Sequence, residues 1–180
     1  MILNNITFAD MLKLTDEEAF IYSYSFKYGR FLNKAKNHFK FKPLREYTFG
    51  QIKDVQQEIE KGLQVSDIPR VLALFEGDDL RYFNETIVEV FQQFAWVKES
   101  VIDITEIERE ALSRQLTDKE IKAGVDRFEM FGVYPQIRSF ANAFNQTIDW
   151  ARSQPYEHGF VELIYQKTLG EYESNYLKIK

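Results

Sequence analysis

The stretch IVEVFQQFAWVKESVIDI, residues 87–104, decides the reading of the fold. Its apolar side chains Ile87, Val90, Phe94, Val97, Val101 and Ile104 recur in alternating steps of three and four. That spacing places them on one face of an α-helix. The same period runs through the rest of the chain. Ile52, Val55, Ile59 and Leu63 form one stripe, and Ile121, Val125 and Phe128 another. Ile137, Phe140, Phe144, Ile148 and Ala151 form a third, and Val161, Tyr165, Leu169, Tyr172, Tyr176 and Ile179 close the chain. Each stripe predicts a helix that buries one face.

Helix starts punctuate these stripes. Thr15-x-x-Glu18, Thr48-x-x-Gln51, Thr105-x-x-Glu108 and Thr117-x-x-Glu120 match the capping box, with Thr7 and Asp10 a weaker fifth case. In that motif a hydroxyl and a carboxylate or amide three residues apart each satisfy an orphan amide of the first turn. Pro135 and Pro155 stand where a helix can begin, and Gly62 and Gly132 where one can end. The spacing predicts helices near 8–13, 16–33, 49–62, 68–76, 85–102, 105–115, 118–131, 135–152 and 156–177. Within 16–33 the run Phe20-Ile-Tyr22-Ser-Tyr24-Ser-Phe26-Lys-Tyr28 also alternates like a strand, and the preceding capping box favours helix. The expected fold class is all-α, a multi-helix bundle of about seven to nine helices. The length fits a single helical domain over 1–180, or two small subdomains.

Composition narrows the chemistry. The chain is 44% hydrophobic and 28% charged, with 16 Phe and 10 Tyr, an aromatic share suited to a dense core or an adhesive interface. It has no cysteine, which excludes disulfides, thiol catalysis and cysteine-ligated metals. The N-terminus lacks the pattern of a signal peptide, and no apolar run spans a bilayer, so no membrane partner is expected. Neither GxGxxG nor GxxxxGK[ST] occurs, and no cofactor is implied. His158 and Glu162 share a helix face without further ligands, His38 sits in a basic block, and Ser153 lacks an oxyanion loop. Glu76-Gly-Asp78-Asp79 lacks calcium-loop spacing and reads as a turn. No metal site and no enzyme activity are expected.

Charge is segregated. Residues 19–45 carry Lys27, Arg30, Lys34, Lys36, Lys40, Lys42 and Arg45 and no acid, although the whole chain has 23 basic against 28 acidic side chains. Phe31, Phe39 and Phe41 interleave with them. Residues 76–110 hold ten acidic side chains against three basic ones. A one-signed surface concentrates an oppositely charged partner. The basic block therefore reads as a contact for an acidic protein surface, for nucleic acid, or as a solvated face. The candidate partner-binding residues are Lys27, Arg30, Lys34, Lys36, Phe39, Lys40, Phe41, Lys42 and Arg45.

The Leu-Thr-Asp-x-Glu helix starts at 14–18 and 116–120, the segment TFGQIKDVQ at 48–56 and the aromatic terminal helix PYEHGFVELIYQKTLGEYESNYLKI at 155–179 carry a resemblance. In them the chain resembles small all-helical virion and assembly proteins of tailed bacteriophages. The resemblance implies a head–tail connector or ring subunit whose partners are a portal, neighbouring ring subunits or other virion proteins, a homo-oligomer among them. It implies a place in the virion or in the cytoplasm of the infected bacterial host. A tail assembly chaperone and a nucleic-acid-binding accessory protein are the alternatives.

Overall fold

The computed structural model describes residues 6–15, 42–77 and 79–179. The helix expected over 16–33, its aromatic run and the Glu18 side of the first capping box lie outside the described residues. The fold is all-α, with nine α-helices and no strand among the described residues. They are α1 (Phe8–Met11), α2 (Phe49–Glu60), α3 (Ile68–Glu76), α4 (Asp79–Asn84), α5 (Ile87–Leu112), α6 (Asp118–Ala123), α7 (Tyr134–Ala143), α8 (Ile148–Ser153) and α9 (Tyr156–Tyr176). Short 3-10 turns occupy Leu44–Glu46, Val65–Asp67 and Val125–Phe131. Residues 6–15 and 58–100 belong to one compact unit, and 42–57 with 101–179 to a second.

In the first unit, Phe8 is fully buried, with the rings of Phe83 and Phe91 at 5.9 and 6.1 Å. Val71, Leu72, Tyr82, Ile87, Val90 and Val97 complete the core. Thr7 caps α1, its hydroxyl accepting from the Asp10 amide, and Thr86 exchanges the same kind of bonds with Glu89 at the start of α5. The two caps pair across an isolated antiparallel bridge, Phe8 N–H donating to the Glu85 carbonyl and Ile87 N–H to that of Ile6, both at 3.0 Å. Each bridge bond satisfies a backbone group at a helix end, where four would otherwise lack partners.

The second unit uses the same device. Thr48 and Gln51 form the expected capping box at α2, with bonds of 3.0 and 3.2 Å. Phe49 N–H donates to the Gln154 carbonyl at 2.7 Å and Tyr156 N–H to that of Tyr47 at 3.0 Å, joining the starts of α2 and α9. Around this joint the rings pack. Phe49 lies 5.3 Å from Phe140 and 6.2 Å from Tyr156, and Trp150 sits against both Phe140 and Phe144. Gly159 passes directly under the Phe49 ring, and a Cβ there would run into it.

Three expectations are corrected. The break between 102 and 105 does not occur, because α5 is continuous through Thr105. The Thr105 hydroxyl donates back to the Val101 carbonyl at 2.8 Å and accepts from the Gln56 amide at 3.0 Å. Glu108 is drawn into the interior instead of reaching back to a cap. The helix expected over 118–131 stops at Ala123, since Gly124 takes a left-handed φ of 80° that ends it. A 3-10 segment follows, and Ile121 and Phe128 of the predicted stripe are exposed. The Thr117–Glu120 box does form, and a hydrogen bond from Arg114 is the main reason the Glu120 carboxyl is held down to about 2. The helix expected over 135–152 is broken at Asn145, whose φ is 53°. Asn tolerates that region, and Thr147 restarts the chain as the cap of α8. Gly62 and Gly132, expected at ends, have φ of 82° and 52°.

Candidate functional site

Of the candidate partner-binding residues, Lys42 and Arg45 are described, and both are exposed. Lys27, Arg30, Lys34, Lys36, Phe39, Lys40 and Phe41 lie outside the described residues. Lys42 and Arg45 flank a tight turn held by Glu46 N–H to the Pro43 carbonyl at 2.8 Å and Tyr47 N–H to that of Leu44 at 3.0 Å. Leu44 points inward and is buried. Among the described residues neither Lys42 nor Arg45 has an ion-pair partner.

Arg45 opens onto a cavity of about 430 Å³. Pro43, Leu44, Ile104, Ile107, Tyr156 and Phe160 wall it, and Glu157 adds the one acid of the lining among the described residues. Ile107 is more than half exposed, so the cavity is an open groove with an apolar floor.

Tyr156 links this groove to a buried polar cluster. Lys53, fully buried, donates to both carboxylate oxygens of Glu108 at 2.7 and 2.6 Å. The Gln56 amide and the Tyr156 hydroxyl donate to the same carboxylate at 2.9 and 2.8 Å. The Lys53 ammonium also stands 5.3 Å from the centre of the Phe49 ring. Burial first, and the Glu108 carboxylate second, push the Tyr156 phenol well above its ordinary pKa and keep it protonated. Charges removed from water are costly unless paired and fully hydrogen-bonded. Here each oxygen of Glu108 has two donors, so the cluster is a satisfied structural joint between α2, α5 and α9. Sequence reasoning missed it. Lys53 lies one residue from Ile52 and looks like a surface lysine, and its partner is 55 residues away.

The terminal helix inverts its expected orientation. Val161, Tyr165, Leu169, Tyr172, Tyr176 and Ile179, predicted to be buried, are all exposed. The buried face is Tyr156, Gly159 and Leu163. The reason is the fit at Gly159, where only a residue without a Cβ lets α9 approach Phe49. Lys167 ties the helix to the end of α5, its ammonium donating to the Ala111 carbonyl at 2.8 Å. From Thr168 to Ile179 every residue is exposed, whichever way it faces. Tyr172 and Tyr176 stack on one another with centroids 6.1 Å apart while remaining 63% and 64% exposed. A smaller apolar surface occurs on the 3-10 segment, where Phe128, Met130 and Phe131 face water.

His158 is exposed and Ser153 donates to the Trp150 carbonyl. Among the described residues no group of three or more His, Asp or Glu side chains could hold a metal ion, and no helix is long and apolar enough to cross a membrane. No protein-family model, curated protein or solved structure matches this chain.

Proposed function

We propose that this chain is a structural or assembly protein that works by protein–protein contact, in its most concrete form a head–tail connector or ring subunit of a tailed bacteriophage particle. One observation carries the contact reading: the end of α9 and the residues after it present Tyr172, Tyr176, Leu177 and Ile179 to solvent. A cluster of exposed apolar side chains supports an interaction surface, and tyrosine anchors are prominent among interface hot spots. The phage assignment rests on the resemblance of the Leu-Thr-Asp-x-Glu helix starts and the aromatic terminal helix. The basic residue Arg45 borders an apolar groove, a setting that suits a protein partner better than a phosphate backbone.

Purified particles from a lysate containing the chain provide the test. Mass spectrometry should find it in mature particles at fixed stoichiometry, and disruption of its gene should leave filled heads without attached tails. Absence from particles combined with a loss of tails would favour the tail assembly chaperone. Particles that assemble normally without the chain would end the assembly reading altogether.

A further inference from the structure

The groove beside Arg45 and the free end of α9 fit one another, and we propose that they meet between copies. The last turns of α9 of one copy dock into the groove of a second, making a head-to-tail contact. This names the partner for the assembly role proposed above and rests on that reading.

Three observations support the pairing. The first is fit: among the described residues the groove is an open apolar hollow of about 430 Å³, in the size range of small-ligand sites. The segment Thr168–Leu177 is exposed on all sides, and its apolar side chains gain free energy where a partner removes them from water. The second is charge. Thr168–Leu177 carries Glu171 and Glu173 and no basic residue, with Lys178 just beyond. The groove lining carries the exposed Arg45, with Glu157 its one acid among the described residues. Glu171 and Glu173 are opposite in sign to Arg45, which favours encounter of the two surfaces.

The third observation excludes an intramolecular version. Tyr156 and Phe160 wall the groove, while Tyr172 lies 16 residues beyond Tyr156 on the same continuous helix. At 1.5 Å per residue this is about 24 Å along the axis. A helix cannot fold its own end back onto its first turn, so this segment can reach the groove only from another copy. Two different patches are joined, so the contact is heterologous. Such contacts close into rings or run on as filaments. Tyr172 and Tyr176 are the anchors, and Arg45 meets Glu171 and Glu173 at the rim.

Sedimentation velocity of the full chain, wild type and two double variants, tests this. Arg45→Glu with Ile107→Glu spoils the groove, and Tyr172→Ala with Tyr176→Ala spoils the helix. All four positions are exposed, and circular dichroism controls for the fold. The wild type should associate, and each double variant should associate at least about 30-fold more weakly, as loss of a hot spot implies. An equimolar mixture of the two variants keeps one intact contact and should form a dimer that does not grow. A groove variant that still self-associates like the wild type would overturn the proposal in favour of paired α9 ends. A mixture that stays monomeric, or a wild type monomeric throughout, would also overturn it. Either result leaves the assembly reading standing if the chain is still found in particles.

Discussion

The two ends of α9 are built from similar residues and have opposite fates. The first turns, with Tyr156, Gly159 and Leu163, are locked against Phe49 and the Lys53–Glu108 joint. The last turns also carry large apolar side chains, Leu169, Tyr172 and Tyr176, and all three are exposed. Apolar content therefore does not decide which part of a helix is buried. Burial follows from what can fit: a glycine beneath a phenyl ring and a hydroxyl able to complete a carboxylate's hydrogen bonds. The other end has no such fit among the described residues, and its tyrosines stand in water.

The largest effects should come from breaking the docked end. Lys53→Met alone strands Glu108 in the interior and should cost about 3–5 kcal/mol, whereas Lys53→Met combined with Glu108→Leu should recover most of that loss. Urea unfolding of the two variants and wild type checks this, and equal destabilisation of single and double variants would contradict it. Next comes Gly159→Ala, where the new methyl meets a Phe49 ring held by Phe140 and Tyr156. Overpacking of this kind should cost about 1–3 kcal/mol, visible as a lower Tm.

The Tyr156 hydroxyl gives the comparison a pH signature. Its pKa is raised in the fold from an ordinary 10.0, by burial and then by Glu108. A raised pKa contributes stability that is fully present below the unfolded value and lost as pH rises past it. Stability should hold up to about pH 10 and decline above it. Tyr156→Phe should flatten that alkaline decline, as read from urea midpoints across pH. An unchanged slope would mean that the phenol does not report on the docked end.

The smallest effect should come from the free end. Tyr172→Ala and Tyr176→Ala remove two large rings, yet the folded monomer should change by no more than about 0.5 kcal/mol, the usual range for exposed positions. A cost of several kcal/mol would show that the tyrosines pack on the chain's own body.

How much could be read in advance depended on distance along the chain. The boxes at Thr48–Gln51 and Thr117–Glu120 formed as spaced, because both partners lie within one turn. The identical pattern at Thr105–Glu108 failed, because Lys53, Gln56 and Tyr156 outbid the cap for the carboxylate. The stops at Gly124 and Asn145 were legible in principle, since both residue types accept a positive φ, but the apolar period running across them masked the signal. Of the basic block, Arg45 lies beside the groove, and nothing local predicts a cavity whose walls come from three distant segments.

Residue order alone determined that this protein is helical, where several helices begin, and that basic and acidic groups are segregated. These follow from backbone hydrogen bonding and side-chain period, which act over three or four residues. Only the tertiary structure decided which face of α9 is buried, that Lys53 and Glu108 form an interior pair, and that the final tyrosines stand in water. Those outcomes depend on steric fit and on removing charge from solvent, and both are settled by neighbours about 50 to 110 residues away, as for Lys53 with Glu108 and Phe49 with Gly159.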